Sequence, residues 1–184
     1  MAFNVVNRFK SLDFWQLFLL KLVVIYLVLH LIQLYFNESA LGAEVNAFIS
    51  NFIAKGTVNL MEVFSIASHY LQTGHGAQLY VDGSQSVYID HSCNAFNIQK
   101  AFLALVLATS FNNKHLLWYI PVGVLSIFLV NIVRVWALAL VYKYAPNMLD
   151  INHKYIFTIV VYAWIFVLFL IWVNKFVEAK RMSA

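Results

Sequence analysis

Cysteine is almost absent: one in 184 residues, Cys93, which excludes an internal disulfide framework and a cysteine-rich zinc site. Charge is scarce too, at 11% of the chain against 62% hydrophobic residues, with a mean hydropathy of +0.76. A soluble surface needs far more charge than that. The formal net charge is +4, but the basic residues are scattered beside apolar runs rather than gathered into a patch, so nucleic acid is not the expected partner. The histidines His30, His69, His75 and His115 show no metal-binding i, i+4 pairing, and neither a metal nor an organic cofactor is expected. There is no internal repeat and no low-complexity tract. What remains is an all-α integral membrane protein whose partner is the lipid bilayer, a single polytopic domain over residues 1–184.

A hydrocarbon core of about 30 Å requires about 20 apolar helical residues. Four runs are candidates, at residues 14–36, 94–111, 116–144 and 155–173, the third long enough to tilt or to project beyond the lipid. The first carries Lys21 and is too long for a secretory h-region, so it reads as an uncleaved anchor. Arg8 and Lys10 precede the first run, Lys114 lies between the second and third, and Lys175, Lys180 and Arg181 follow the fourth. By the positive-inside rule all three groups are cytoplasmic, as are both termini. The segment 37–93 then faces outward. Its first part, residues 41–71, alternates at helical spacing and reads as two external amphipathic helices broken at Gly56. After them, "QLYVDGSQSVYI" reads as a short β-hairpin turning at Asp82-Gly83, which leads the chain to Cys93.

Cys93 follows Asp90 and Ser92, both natural helix N-cap residues, and is expected in the first turn of the second span. The positive potential of a helix start lowers a thiol's pKa and raises its nucleophilicity. Arg134 lies 18 residues into the third run, about 27 Å along the axis, which places it near the outer boundary among apolar neighbours. A guanidinium in such a place is a functional-site candidate by default. Asn131 shares its helix face. His153 stands just before the fourth run, at the same boundary. A thiolate nucleophile, a proton-carrying histidine and a cation for an oxyanion form a chemically coherent set. Asn97 and Lys100 follow Cys93 on one helical face, and Lys100 could tune the thiol, pair with a carboxylate or snorkel. His91, two residues from the thiol, is a second candidate base.

"SCNAFN" around Cys93, "NIVRVW" with Asn131 and Arg134, and "INHKYIF" with His153 together resemble the exosortase/archaeosortase family. These are polytopic membrane cysteine enzymes with a Cys opening one transmembrane helix, Asn-x-x-Arg in the next and His starting the one after. The likeness covers roughly Tyr88 to Val173. The chain departs from the family in two ways: many members carry more spans, and many have a small residue and Gly where this chain has Asn94-Ala95. The resemblance implies a cysteine protease or transpeptidase in a prokaryotic cytoplasmic membrane. Its active site would face outward, and its partners would be membrane-anchored proteins bearing C-terminal sorting signals. The competing expectation is a non-catalytic scaffold or an accessory protein for surface-protein or polysaccharide export, in which Asn131 and Arg134 only hold helices together.

Overall fold

The computed structural model describes residues 14–74, 76–90, 93–109 and 113–178. Arg8, Lys10, Lys180, Arg181, His75, His91 and Ser92 lie outside the described residues. Five helices and one small sheet follow in order: α1 Phe14–Glu38, α2 Ala40–Val63, β1 Ser68–Thr73, β2 Gly76–Val81, β3 Ser84–Ile89, α3 Phe96–Thr109, α4 Leu116–Tyr144 and α5 Phe157–Trp172. Short helical turns cover Pro146–Ile156, the last of them a π-helical turn over Asn152–Ile156.

Three helical stretches are long and apolar enough to cross a bilayer: α1, α4, and the continuous stretch Pro146–Val177 that contains α5. Their exposed faces carry large apolar side chains, Leu27 and Leu31 on α1, Leu125 and Leu129 on α4, Ile159 and Phe166 on α5, a composition suited to a hydrocarbon environment. The second expected span differs. As a described helix α3 has 14 residues, about 21 Å, which falls short of the bilayer core. Asn94 and Ala95 are used in the turn that precedes it rather than in the helix.

The segment 37–93 also differs from expectation. α2 is one continuous helix of 24 residues, and Gly56 does not break it. A Cβ at Gly56 would stand 2.9 Å from the Ile132 side chain, so the glycine lets α2 approach α4. The helical reading then ran too far. Ser65, at φ 57, turns the chain out of α2. Its N–H donates to Glu62 O at 2.9 Å, and the N–H of Ile66 donates to Met61 O at 3.0 Å, a Schellman closure made without glycine. "SHYLQT" consequently becomes β1, and the hairpin becomes a three-stranded antiparallel sheet in the order β1-β2-β3. The expected turn is present. Val81 pairs with Ser84 across Asp82-Gly83, whose φ values of 50 and 77 are those of the two-residue hairpin turn that Asp-Gly favours. Lys143, one residue before the end of α4, holds this turn through a 2.7 Å ion pair with Asp82.

Two kinds of core result. One lies within the helical bundle, where Phe102 and Val106 of α3, Tyr119 and Ile127 of α4, and Val161, Ile165 and Trp172 pack together. Gly123 admits the Phe102 ring against α4, and a Cβ there would overlap the ring. The Tyr119 hydroxyl donates to Leu168 O at 2.6 Å and the Trp172 indole to Thr109 Oγ1 at 2.9 Å, so the polar ends of these aromatics are satisfied. The other core lies beyond it. The 29 residues of α4 extend about 43 Å, more than a bilayer needs, and its second half buries Ile132, Val135 and Ala139 against α2 and the sheet. Cys93 sits at the seam.

Candidate functional site

β3 ends at Ile89, and the chain turns before α3 begins at Phe96. In that turn the Cys93 N–H donates to Asp90 O at 3.0 Å. The Ala95 carbonyl accepts from the N–H groups of Ile98 and Gln99, which makes Ala95 the N-cap. Asn94 supplies a side-chain oxygen to the helix start: its Oδ1 accepts from the Phe96 N–H at 3.2 Å. Cys93 therefore precedes the helix by three residues, and its thiol does not stand in the first turn as the sequence suggested.

Ala95 has φ 67, a left-handed conformation, and is 3% exposed. For a residue with a Cβ this costs about 1–2 kcal/mol. Ala95→Gly is thus expected to raise stability by about 0.5–1 kcal/mol after allowing for glycine's greater freedom in the unfolded chain. Thermal unfolding in detergent reads it; a lower midpoint would contradict the assigned backbone conformation.

Two buried asparagines fix the turn from opposite sides. Asn46 of α2 accepts at Oδ1 from Asn94 Nδ2 at 2.6 Å, and its own Nδ2 donates to Asn37 Oδ1 at 3.2 Å. Asn131 of α4, fully buried, donates through Nδ2 to the Cys93 carbonyl at 2.7 Å. The other end of the same amide, Oδ1, accepts from Arg134 Nη1 at 3.5 Å, a long bond. Arg134 is half-buried, and its Nε finds no partner among the described residues. This N–H is one of several buried polar atoms on α2 and α4 without a partner among the described residues, with Ser50 Oγ, Thr57 Oγ1 and Trp136 Nε1.

His153 lies on the π-helical turn before α5, half-buried, and its carbonyl accepts from Thr158 Oγ1 at 3.2 Å. Turns of this kind recur at functional positions because they re-aim one side chain within a helix. The charges near enough to act on its ring are Arg134, Asp150, Lys154 and Asp90. Asp150 is held by Lys154 at 2.8 Å. Arg134 on α4 and Asp90, three residues before Cys93, are thus within electrostatic reach of His153.

The thiol is not open to solvent. Cys93 is 5% exposed and packs with Ile53, Ala54, Ala77, Ile89, Ile132 and Val135. The supporting residues also divide. Asn97 and Lys100 turn toward α1: Lys100 Nζ donates to His30 Nδ1 at 3.0 Å, Gln33 Oε1 at 2.9 Å and Asn97 Oδ1 at 3.3 Å. Lys100 neither pairs with a carboxylate among the described residues nor snorkels out, being 6% exposed. It belongs to a separate cluster. Asn46 and Asn94 were missed in the sequence, because each is an ordinary polar residue until the fold brings α2 beside the Cys93 turn.

No family model, no curated protein and no solved structure matches the chain.

Proposed function

We propose that the chain is a membrane-embedded cysteine peptidase or transpeptidase of the exosortase/archaeosortase kind, with Cys93 as nucleophile, Arg134 as oxyanion or substrate ligand and His153 as proton carrier. The observation that carries this reading is the Asn131 amide. It binds the Cys93 carbonyl at one end and the Arg134 guanidinium at the other, leaving Arg134 Nε unmet beside it. A buried asparagine placed in this way sets a cysteine and a cation in fixed register, a positioning requirement of covalent catalysis.

In this mechanism the Cys93 thiol gives its proton to His153 and, as the thiolate, attacks a peptide carbonyl close to the membrane-embedded tail of an exported protein, forming a C–S bond and an oxyanion to which the Arg134 Nε–H donates. The C–N bond then breaks, and His153 delivers its proton to the departing amine. The thioester is resolved by water, which is proteolysis, or by an amine, which is transpeptidation. Either way the thiol is regenerated. Because Cys93 is buried, the α2–sheet layer must shift to admit substrate.

In this reading the protein is multi-pass in a prokaryotic cytoplasmic membrane, with four membrane-crossing segments. The short α3 crosses with the help of its flanking turns, both termini are cytoplasmic and the Cys93 end faces outward. Reporter fusions after Lys114 and at the C-terminus are then expected to read cytoplasmic, and one at Gly83 external. Opposite readings at Lys114 and Gly83 would place Cys93 and His153 away from the outer face.

A second reading has its own support. The Cys93 packing and the satisfied Asn131–Cys93 bond also suit a non-catalytic scaffold for surface export, in which the asparagine joins elements and the cysteine fills space. Labelling separates the two. Enzyme chemistry requires a membrane-impermeant maleimide to reach Cys93 from the outer side in intact membranes, on the timescale of the opening motion. A thiol reached only after denaturation supports the scaffold.

A further inference from the structure

The cluster around Lys100 has features that the cysteine chemistry does not use. It lies between α1 and α3, where a cavity of about 250 Å³ is walled by Leu29, Ile32, Phe36, Phe96 and Leu103. Gln33, Gln99 and Lys100 form its polar lining. Lys100 is 6% exposed and Gln99 7% exposed. The three N–H donors of the ammonium are all taken, by His30, Gln33 and Asn97, so its hydrogen bonding is complete. Its charge is not matched. All three acceptors are neutral, no carboxylate among the described residues pairs with it, and the Tyr26 ring lies 4.9 Å away. Beside it, Gln99 Nε2 is buried with no partner among the described residues. A buried cation without an anion, next to an unused amide donor in an apolar cavity, is an unfinished site.

The shape and depth limit the occupant. A cavity of this volume is smaller than a typical small-molecule pocket and cannot admit a helix, whose diameter is about 10–12 Å. It admits a flexible chain. His30 and Gln33 lie eight and five residues before the end of α1, about 12 and 8 Å along its axis, near one end of a candidate span. We infer that this cleft binds an anionic lipid, with a phosphate oxygen accepting from Gln99 Nε2 beside the Lys100 charge and one acyl chain running between Leu29, Ile32 and Leu103. The inference does not depend on the peptidase reading; only the choice of leaflet does.

The test uses the full chain in vesicles containing either of two photoactivatable probes with identical diazirine-bearing acyl chains, phosphatidylglycerol or phosphatidylcholine. Crosslinked peptides are located by mass spectrometry. Phosphatidylglycerol is expected to label residues 29–36 and 96–103 about fivefold more than phosphatidylcholine, the factor typical of one lysine acting on one anionic lipid. Lys100→Gln should bring the two probes close to parity, and Leu103→Trp should reduce labelling by both by filling the cleft. Equal labelling by the two probes in the wild-type chain overturns the inference whether or not the variants fold. So does displacement of the lipid probe by inorganic phosphate, which would mark a free-anion site, or by an apolar peptide ending in a carboxylate, which would mark a peptide site.

Discussion

Cys93→Ala is expected to abolish substrate processing, lowering its rate by about 10⁵-fold or more, while the protein remains inserted at near-normal abundance. Removing the nucleophile of a covalent mechanism typically costs that order of rate. The structural cost is small by comparison. Cys93 is a small buried side chain among Ile53, Ala54, Ala77, Ile89, Ile132 and Val135, and losing its sulfur leaves a void worth about 1 kcal/mol. The hydrogen bond from Asn131 goes to the Cys93 carbonyl, which alanine retains. Stability and activity are therefore separable at this position. The measurement is the fraction of truncated C-termini among exported membrane proteins, normalised to inserted enzyme. Unchanged truncation in Cys93→Ala would leave the scaffold reading in possession of the site.

Arg134→Lys is expected to reduce cleavage by about 10²- to 10³-fold, the usual effect of losing one oxyanion donor. Lysine keeps the charge but not the planar fork. Among the described residues Nη1 is engaged by the Asn131 oxygen and Nε has no partner. An ammonium could replace the first contact and not the second. The variant should therefore insert normally and keep Cys93 as reactive toward maleimide as in the wild type, yet turn over slowly. Near-normal cleavage would show that the position needs only a positive charge, and equal losses of abundance and cleavage would show that it holds the helices together.

Much of this arrangement could be read from the chain because its signals are local. Long apolar runs announced α1, α4 and α5, and Asp82-Gly83 announced its turn through the two positive φ values that this dipeptide tolerates. Asn131 and Arg134 share a helix face by spacing alone, and their hydrogen bond is the outcome. The errors arose where a distant partner decided a local choice. β1 forms because β2 offers it a full register from Ser68↔Val81 to Thr73↔Gly76, which outweighs the helical alternation of that segment. Gly56 reads as a breaker until the Ile132 side chain is seen against it. The start of α3 was misplaced because Asp90 and Ser92 outrank Asn94 as local signals, yet Asn94 is anchored from α2 by Asn46. Lys100 resembled a tuning group for the thiol because it follows Cys93 in sequence, but α1 supplies its partners His30 and Gln33. Each of these depends on contacts between residues far apart in the chain.

The claim that Cys93 forms a covalent bond to substrate is tested most directly by the mass of the peptide containing it. Membranes are quenched in acid during turnover, and the Cys93 peptide is examined with and without hydroxylamine, which cleaves thioesters. An acyl adduct on Cys93 that hydroxylamine removes, and that disappears when His153→Ala or Arg134→Lys slows its formation, is the predicted result. A Cys93 peptide that carries only the free thiol at every time point, while exported proteins are still being truncated, would contradict it.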